Sequence, residues 1–176
     1  MKVLIIGAGA SGASCAARLR RVDEKSEITI LEKTNEVSIA NCGLPYYCSG
    51  VINDRDNILV SNPQTFKELF NINVKLNCEV IAIDRKLKQV ETSSKEILSY
   101  DKLVFSPGAA PFLPEIKGVN NGKVFTLRSL EDADKIKKFI SEKTVKTAVV
   151  AGGGFIGVEM AENFVHSGIY TSLVET

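Results

Sequence analysis

The sequence predicts an α/β fold with a parallel sheet, and two similar stretches of the chain support that prediction. Residues 2–6 form an apolar run, which is typical of a parallel strand buried on both faces. A glycine-rich turn follows at once, and then a helix rich in small residues, predicted from Ala10 to Arg21. The same order of apolar run, glycine-rich turn and helix begins again at residues 147–151. One α/β pattern therefore accounts for both ends of the chain.

The first glycine-rich turn matches the G-x-G-x-x-G pattern of a dinucleotide-binding unit. Gly7 permits a tight turn, Gly9 lets the backbone approach a pyrophosphate, and Gly12 allows close packing of helix on strand. The second strand, predicted over residues 27–31, ends at Glu32, where an acidic side chain accepts hydrogen bonds from an adenosine ribose. We interpret the unit as a dinucleotide site rather than a purely structural turn. Its turn residues are Gly7, Ala8, Gly9, Ala10, Ser11 and Gly12.

The second glycine-rich turn repeats this pattern 145 residues later. A helix is predicted over 158–167, and a strand over 171–174 ends at Glu175, which again supplies an acid at the ribose position. Two complete units, each with its acid, predict that the protein holds two dinucleotides. The residues of the second turn are Gly152, Gly153, Gly154, Phe155, Ile156 and Gly157.

The middle of the chain predicts one short helix and several short strands. The helix, Pro63–Phe70, begins with a proline in its first turn. Four β-like runs follow, and their spacing predicts a small antiparallel meander inserted into the α/β unit. These runs are 73–76, 79–84, 89–92 and 96–98.

Another buried strand is predicted at 102–105, and the turn after it contains Ser106 and Gly108. Ligands dock at such turns in open α/β sheets, although an ordinary Pro/Gly loop is an alternative. An amphipathic helix is predicted over 129–142, with Ser129 as its N-cap.

These features predict three segments along the chain. They are an N-terminal nucleotide-binding domain (1–110), a linker with a connecting helix (111–145) and the start of a second nucleotide-binding domain (146–176). The last segment has only two predicted strands, and a unit of about thirty residues cannot bury a stable core. We therefore expect the chain to be a fragment of a longer enzyme.

Composition excludes several classes of partner. The chain has 22 basic and 21 acidic side chains, so no net charge favours nucleic acid or a membrane surface. No apolar run approaches the roughly 20 residues needed to span a bilayer, and no secretion signal precedes the first strand. We therefore expect a cytoplasmic protein without structural disulfides and without a metal site. The spacing of Cys15, Cys42, Cys48 and Cys78 matches no zinc pattern.

One of these cysteines lies in a setting that favours reactivity. Cys42 lies among small and polar residues directly before a predicted short helix. Peptide dipoles at a helix N-terminus favour a thiolate, which makes Cys42 the candidate nucleophile. Cys48 follows six residues later, on a different side of a helix, so a disulfide between the two is not expected.

The two fingerprints, the S-x-x-N-C-G-L-P-Y-Y segment at residues 38–47 and the S-P-G-A-x-P turn at residues 106–111 occur together in one known family. The chain resembles the pyridine nucleotide–disulfide oxidoreductases, in their single-cysteine branch. That branch includes coenzyme A-disulfide reductases, NADH oxidases, NADH peroxidases and persulfide reductases.

The resemblance implies a Rossmann-like FAD-binding domain with an inserted meander, followed by an NAD(P)-binding domain. FAD would lie on the first fingerprint, with Glu32 at the ribose, and NADH or NADPH on the second, where Glu175 favours NADH. Cys42 would be the redox-active residue, and the parent enzyme would be a homodimer. Further residues implied to line the FAD are Lys33, Asn41, Val80, Ser106 and Gly108.

The resemblance leaves the substrate open. Coenzyme A disulfide or a persulfide is favoured, because Ser14, Arg18 and Arg21 recur at helical spacing and a cationic face suits phosphate recognition. That face is expected to point toward Cys42, with Ser38 and Asn41 beside the thiol, although it could be an ordinary solvated helix surface. The alternatives are an oxidase or peroxidase with a Cys42 sulfenic acid, or a nucleotide-binding fragment without turnover.

Overall fold

A computed structural model of the chain describes residues 1–175. These residues form two compact units. The first unit contains Met1–Ile39 and Leu59–Ala109, and the second contains Ala40–Ile58 and the chain from Ala110 onward. Each unit contains one of the two glycine-rich fingerprints.

The helices and strands alternate along much of the chain, as an α/β fold requires. In chain order they are β1 (Lys2–Ile6), α1 (Ala10–Val22), β2 (Glu27–Leu31), β3 (Val37–Ile39), α2 (Leu44–Ser49), β4 (Leu59–Ser61), α3 (Pro63–Phe70), β5 (Asn73–Lys75), β6 (Val80–Asp84), β7 (Gln89–Thr92), β8 (Ile97–Ser99), β9 (Lys102–Phe105), α4 (Leu130–Glu142), β10 (Thr147–Ala151), α5 (Phe155–His166) and β11 (Tyr170–Val174).

The first unit is built on a four-stranded parallel sheet in the order β5-β2-β1-β9. Side chains of β1 alternate between the two faces of this sheet. Val3 and Ile5 are buried in a cluster with residues of α1 and α3, whereas Leu4 is buried with Val90 of β7. Helices therefore cover one face of the sheet, and the antiparallel meander β6-β7-β8 covers the other.

The register of this sheet brings the carboxyl ends of neighbouring strands together. Ile6, the last residue of β1, pairs with Leu31 of β2 and with Phe105 of β9. The first fingerprint, Glu32 and Ser106 each follow one of these residues directly. The sheet therefore presents all three segments at one edge, which is where open α/β sheets bind ligands.

The structure corrects the predicted meander. Asn73–Lys75 does not belong to it, because β5 pairs in parallel with β2, with Thr29 opposite Asn73 and Leu31 opposite Lys75. A three-residue strand carries too little periodicity to show which sheet it joins. The meander itself has three strands rather than four.

The second unit holds β10 and β11 as a parallel pair, with α5 between them in the chain. Helix α5 begins at Phe155, three residues earlier than predicted, directly after the glycine turn. Helix α4 begins with the predicted cap: the Ser129 hydroxyl accepts from the Asp132 N–H, and the Asp132 carboxylate accepts from the Ser129 N–H. The strands predicted at residues 147–151 and 171–174 are confirmed, as are the helices that follow Ser129 and the second fingerprint.

Candidate functional site

The first fingerprint forms a turn that requires glycine at two positions. Gly7 has φ +96°, and a Cβ added there would lie 2.1 Å from the carbonyl oxygen of Ser106. A Cβ added to Gly12 would lie 1.9 Å from the carbonyl oxygen of Gly7. Both distances are far below van der Waals contact, so the turn can form only where these positions have no side chain.

Gly9 has a different environment. A Cβ placed on Gly9 meets no protein atom within 4 Å, although Gly9 has ordinary dihedral angles as the N-cap of α1. The space beside Gly9 therefore faces the first turn of a thirteen-residue helix, whose backbone N–H groups point outward. A diphosphate fits this cradle, because it can approach the backbone at Gly9 and accept hydrogen bonds from the start of α1, where Ala10 and Ser11 are exposed.

Glu32 lies at the end of β2 and is nearly buried, with 9% of its surface exposed. Its Oε2 accepts a hydrogen bond from the Ala8 N–H at 2.7 Å. Its Oε1 accepts from the Thr34 N–H and from the Thr34 hydroxyl, each at 2.9 Å. The carboxylate therefore fixes the fingerprint turn in addition to its predicted role at a ribose.

Two other predicted site residues also lie against this turn. The Ser106 N–H donates to the carbonyl of Ile6 at 2.9 Å, which holds the β9 turn beside the start of the fingerprint. The Ser38 N–H donates to the carbonyl of Ala8 at 3.0 Å, and Ser38 itself has φ +52°. Gly108, with φ +76°, completes the turn after β9.

The remaining predicted residues of the first unit are placed as follows. Val80 is half-buried and packs against the cluster of Leu4, Leu31 and Val90. Lys33 is exposed directly after Glu32. The side chains of one predicted phosphate-binding face are all exposed along α1, namely Ser14, Arg18 and Arg21.

The second fingerprint repeats the geometry of the first. Gly152 has φ +109°, and a Cβ added to Gly157 would lie 1.9 Å from the Gly152 carbonyl oxygen. A Cβ on Gly154 meets no atom within 4 Å. The carboxylate of Glu175 accepts a hydrogen bond from the Gly153 N–H, as that of Glu32 does from Ala8. This turn therefore offers a second cradle for a diphosphate, with Phe155 and Ile156 exposed beside it.

Cys42 lies in a short 3-10 turn, Asn41–Gly43, that leads directly into α2. Cys42 is exposed, whereas Cys48 is buried and Cys15 and Cys78 are half-buried. All four thiols are free in the described residues. A Cβ on Gly43 would lie 2.8 Å from the Ile58 side chain, so the turn packs closely on the residue that precedes β4. Cys42 is thus the accessible thiol of the predicted reactive segment.

Helix α2 is held by a polar cluster that the sequence did not indicate. The Tyr47 hydroxyl donates to the Asp134 carboxylate of α4 at 2.9 Å, and the Arg55 guanidinium donates to the same carboxylate at 3.1 Å. The Lys137 ammonium lies 3.8 Å from the centre of the Tyr47 ring. Burial, followed by the bond to Asp134, raises the pKa of Tyr47 to about 12. The cluster keeps α2, and the turn before it, on α4.

Buried Cys48 contrasts with Cys42. Its thiol lies 3.8 Å from the carbonyl oxygen of Ala133, and burial raises its pKa to about 12. A thiol that stays protonated at neutral pH is a poor nucleophile. Cys48 therefore packs α2 on α4 and does not compete with Cys42.

Arg128 is a further residue beside the reactive segment that sequence reasoning missed. Its guanidinium donates to the Asn41 side-chain oxygen at 3.3 Å. Asn41, Leu44, Leu127, Arg128 and Ile156 line one shallow pocket. The predicted residue Asn41 therefore lies close to the second fingerprint through Ile156. An arginine outside any motif gives no signal in a single sequence.

Comparisons with known proteins agree with this geometry. The family model described as pyridine nucleotide-disulphide oxidoreductase matches residues 1–176. The chain belongs to this family. Members of the family use FAD and a pyridine nucleotide.

Several individual proteins are similar to this member of the family. A coenzyme A disulfide reductase of Staphylococcus haemolyticus (strain JCSC1435) is 43% identical over 98% of this chain. The crystal structure of reduced Bacillus anthracis CoADR-RHD matches 99% of this chain with a TM-score of 0.93 and 44% identity. A NAD-dependent persulfide reductase from A. fulgidus matches 98% with a TM-score of 0.92 and 38% identity.

These matches cover only part of the similar proteins. The chain spans 40% of the length of the Staphylococcus protein, 32% of the Bacillus chain and 34% of the A. fulgidus chain. Within residues 1–175, no helix has the length and apolar character needed to cross a bilayer. The same residues hold no cluster of three or more histidine, cysteine or acidic side chains suited to a metal ion.

Proposed function

We propose that this chain is the FAD-binding and nucleotide-binding part of an oxidoreductase that passes electrons from NADH, through FAD, to Cys42. The observation that carries the proposal is the exposed Cys42 thiol in a chain with two matching diphosphate cradles. Two dinucleotide sites suit a donor and an acceptor of hydride, and an accessible thiol suits transfer onward to sulfur.

The proposal assigns FAD to the first cradle. Gly7, Gly9 and Gly12 would shape the turn around the diphosphate, and the start of α1 would donate to it. The free lone pair on the Glu32 Oε2 would accept from the ribose, in addition to the Ala8 N–H. Other residues proposed to line the FAD are Ala10, Ser11, Lys33, Asn41, Val80, Ser106 and Gly108.

The proposal assigns NADH to the second cradle, which is formed by Gly152, Gly154 and Gly157, with Phe155 and Ile156 beside it. Glu175 supports NADH over NADPH, because a carboxylate at the end of β11 repels a 2′-phosphate. The test compares the rates at which NADH and NADPH reduce the flavin, followed as loss of its visible absorption. Glu175→Gln should narrow the preference for NADH, and Glu159→Gln, on a half-buried residue of α5, is the matched control.

We propose three segments along the chain. Residues 1–110 would form the FAD-binding segment, residues 111–145 the linker with α4, and residues 146–176 the start of the NAD-binding domain. The four free cysteines support a reducing compartment, for which we propose the cytoplasm. We also propose that the complete enzyme is a homodimer.

Cys42 would act as the nucleophile toward a disulfide. Its thiolate attacks one sulfur of the substrate, the substrate S–S bond breaks, and one thiolate leaves. The product is a mixed disulfide between Cys42 and the retained half of the substrate. The two electrons that break this mixed disulfide would come from bound FAD, which would receive them from NADH. Cys42 then returns to the thiolate, and the second substrate thiol departs with one proton.

We propose coenzyme A disulfide, or a persulfide, as the substrate. The similar Staphylococcus protein is a coenzyme A disulfide reductase, and the similar A. fulgidus protein is a persulfide reductase. The exposed Arg18 and Arg21 on α1 offer guanidinium groups for the phosphates of a coenzyme A moiety. Ser14, Ser38 and Asn41 complete the proposed substrate-binding set.

The first test combines a visible spectrum with intact mass. Protein purified without added cofactor should show flavin absorption and, under denaturing and non-reducing conditions, a mass increase equal to coenzyme A. Dithiothreitol should remove this increase. Cys42→Ser should lack it, whereas Cys48→Ser should keep it, because Cys48 is buried.

Other outcomes would change the assignment. A gain of one oxygen at Cys42 would indicate the oxidase or peroxidase chemistry of a sulfenic acid. Protein without flavin and at its bare mass would contradict the proposal for this chain and leave a nucleotide-binding fragment without turnover.

A further inference from the structure

Helix α5, which follows the second fingerprint, is hydrogen-bonded to helix α2, which follows Cys42. The Ser49 hydroxyl of α2 donates to the side-chain oxygen of Asn163 in α5 at 2.8 Å. The Ser167 hydroxyl, directly after α5, donates to the carbonyl of Ser49 at 3.2 Å. The Ser167 hydroxyl can also donate to the Asn163 carbonyl at 2.9 Å, so the bond from Ser49 to Asn163 is the main hydrogen bond between α2 and α5.

Asn163 is suited to this contact because its orientation is fixed. It is a polar residue of α5 with only 3% of its surface exposed. Its side-chain nitrogen donates to the Glu159 carbonyl at 2.8 Å, which turns the side-chain oxygen toward Ser49. A buried amide is costly unless it is fully hydrogen-bonded, so this pairing specifies one register of α2 on α5.

The Ser49 hydroxyl has one proton and two acceptors within reach. Besides Asn163, the carbonyl of Tyr46 in α2 itself lies 3.0 Å away. The hydroxyl can therefore bond to α5 or return to its own helix. Donation to Tyr46 would take this donor away from the buried Asn163 oxygen, so the bond to α5 is the favoured one.

The two helices also meet at their other ends. Ile156, in the first turn of α5, lines a shallow pocket with Asn41 and Leu44. Asn41 precedes Cys42, and Ile156 belongs to the second fingerprint. Because Ile156 lies near Leu44 and Asn163 near Ser49, α5 and α2 run side by side in the same direction. The start of α5 and the segment that holds Cys42 therefore meet at one pocket.

We propose that Ser49 and Asn163 are positioning residues that make the accessibility of Cys42 depend on occupancy of the second dinucleotide site. This inference rests on the proposed function of that site. A dinucleotide bound at Gly152–Gly157 orders the start of α5, and the Ser49–Asn163 bond passes that order to α2 and the Cys42 turn. Cys42 is then held in place while the nucleotide is bound.

The test measures alkylation of Cys42 in the flavin-loaded protein after treatment with dithiothreitol. Iodoacetamide is added with and without saturating NAD⁺, which cannot reduce the protein, and peptide mapping gives the rate at Cys42. NAD⁺ should slow this rate about fivefold. In Ser49→Ala and Asn163→Ala the slowing should fall below about twofold. Ser49→Thr keeps the hydroxyl, so alkylation of this variant should still be slowed by NAD⁺ about as much as in the unsubstituted protein.

Tyr47→Phe is the matched control, because it removes a hydroxyl contact of α2 with α4 and leaves the contact with α5. It should keep the response to NAD⁺. If NAD⁺ shields Cys42 directly, the slowing will persist in Ser49→Ala, and the inference is wrong. Loss of the response in Tyr47→Phe as well would also overturn it, because the effect would not depend on α5.

Equilibrium dialysis with NAD⁺ separates this inference from the proposed function. Binding of NAD⁺ without any change, or with an increase, in the alkylation rate would contradict the inference and leave the proposed site intact. Absence of NAD⁺ binding in protein that retains flavin would contradict both. The expected result is that NAD⁺ slows alkylation in the unsubstituted protein, and that this slowing is lost in both alanine variants although they still bind NAD⁺.

Discussion

The Glu32 carboxylate accepts a hydrogen bond from the backbone N–H of Ala8 at 2.7 Å, which ties the end of β2 to the first fingerprint. Glu175 makes the same contact with Gly153 in the second fingerprint. The two acids therefore share a structural role in addition to the ribose contact that their position predicts. In both units the acid fixes the residue between the first two glycines, and so shapes the cradle before any ligand binds.

Replacing Glu32 by glutamine should weaken flavin retention and stability together. Both carboxylate oxygens of Glu32 accept from N–H or O–H donors of Ala8 and Thr34. An amide must turn its own N–H donors toward at least one of them. We expect the free energy of unfolding to fall by about 1 to 3 kcal/mol, which is typical for a broken buried hydrogen bond. Thermal unfolding and the ratio of flavin to protein are the measurements.

The matched control is Glu27→Gln, because Glu27 begins the same strand and is exposed. It should leave both the unfolding temperature and the flavin content unchanged. Equal losses in the two variants would show that the hydrogen bonds of Glu32 do not matter.

The glycines of the first fingerprint provide a test that separates ligand from fold. Gly9→Ala places a methyl group where no protein atom lies within 4 Å. We expect the variant to keep its unfolding temperature without ligand but to lose flavin, because the methyl group occupies the cradle. Gly12→Ala places its methyl group 1.9 Å from the Gly7 carbonyl and should destabilise the protein itself. Calorimetry of flavin-free protein and flavin titration distinguish the two.

If the Gly9→Ala protein binds flavin normally, the flavin diphosphate does not occupy the space beside Gly9. The equivalent pair in the second unit, Gly154→Ala and Gly157→Ala, should separate in the same way when NADH binding is measured.

The strand-turn-helix units were predictable because each carries several agreeing signals. Apolar runs, fixed glycine positions and an acid at the strand end all describe one motif, and the observed β1, β10 and β11 lie within a residue of their predicted limits. The N-cap at Ser129 was predictable for the same reason, since local hydrogen bonds determine it.

Contacts between residues that are far apart in the sequence were not predictable from these local signals. The assignment of β5 to the parallel sheet depends on its pairing with β2, 44 residues earlier. The bond between Tyr47 and Asp134 joins residues 87 positions apart. Asp134 belongs to no motif, and periodicity describes only which face of a helix is apolar. The support of the Cys42 segment is therefore visible only in the structure.

Arg20 is another such residue, and its replacement should destabilise the first unit. Its guanidinium donates to five backbone carbonyls, those of Phe70, Asp23, Glu24, Ser26 and Asn71. These bonds join the end of α1 to the start of β2 and the end of α3. Because hydrogen bonds to a charged group contribute more than neutral ones, Arg20→Met should lower the free energy of unfolding by about 3 kcal/mol. Chemical denaturation measures it.

Arg21→Met is the control for this change, because Arg21 is the exposed neighbour of Arg20 on α1. It should alter the free energy of unfolding by no more than about 0.5 kcal/mol. Similar destabilisation by both substitutions would contradict the role given to the Arg20 carbonyl contacts.

The raised pKa of Tyr47 predicts a loss of stability at alkaline pH. Burial and the Asp134 contact raise the pKa of this hydroxyl from 10.0 to about 12 in the folded protein. Between these two values the unfolded chain has released the proton and the folded protein keeps it, so stability falls as pH rises. The contribution is complete below pH 10 and is lost by about pH 12, and we expect it to be on the order of 2 kcal/mol.

Denaturation at several pH values between 9 and 12 tests this prediction. Tyr47→Phe removes the titrating hydroxyl, so its stability should fall less steeply over this range than that of the parent. It should also be less stable than the parent at neutral pH, because the Asp134 carboxylate loses a hydrogen-bond donor. Tyr46→Phe changes the neighbouring half-buried residue, and its stability should vary with pH as that of the unsubstituted protein does. If Tyr47→Phe loses as much stability between pH 9 and 12 as the unsubstituted protein, the loss arises from other groups. Buried Cys48 would then be tested next, with Cys48→Ala.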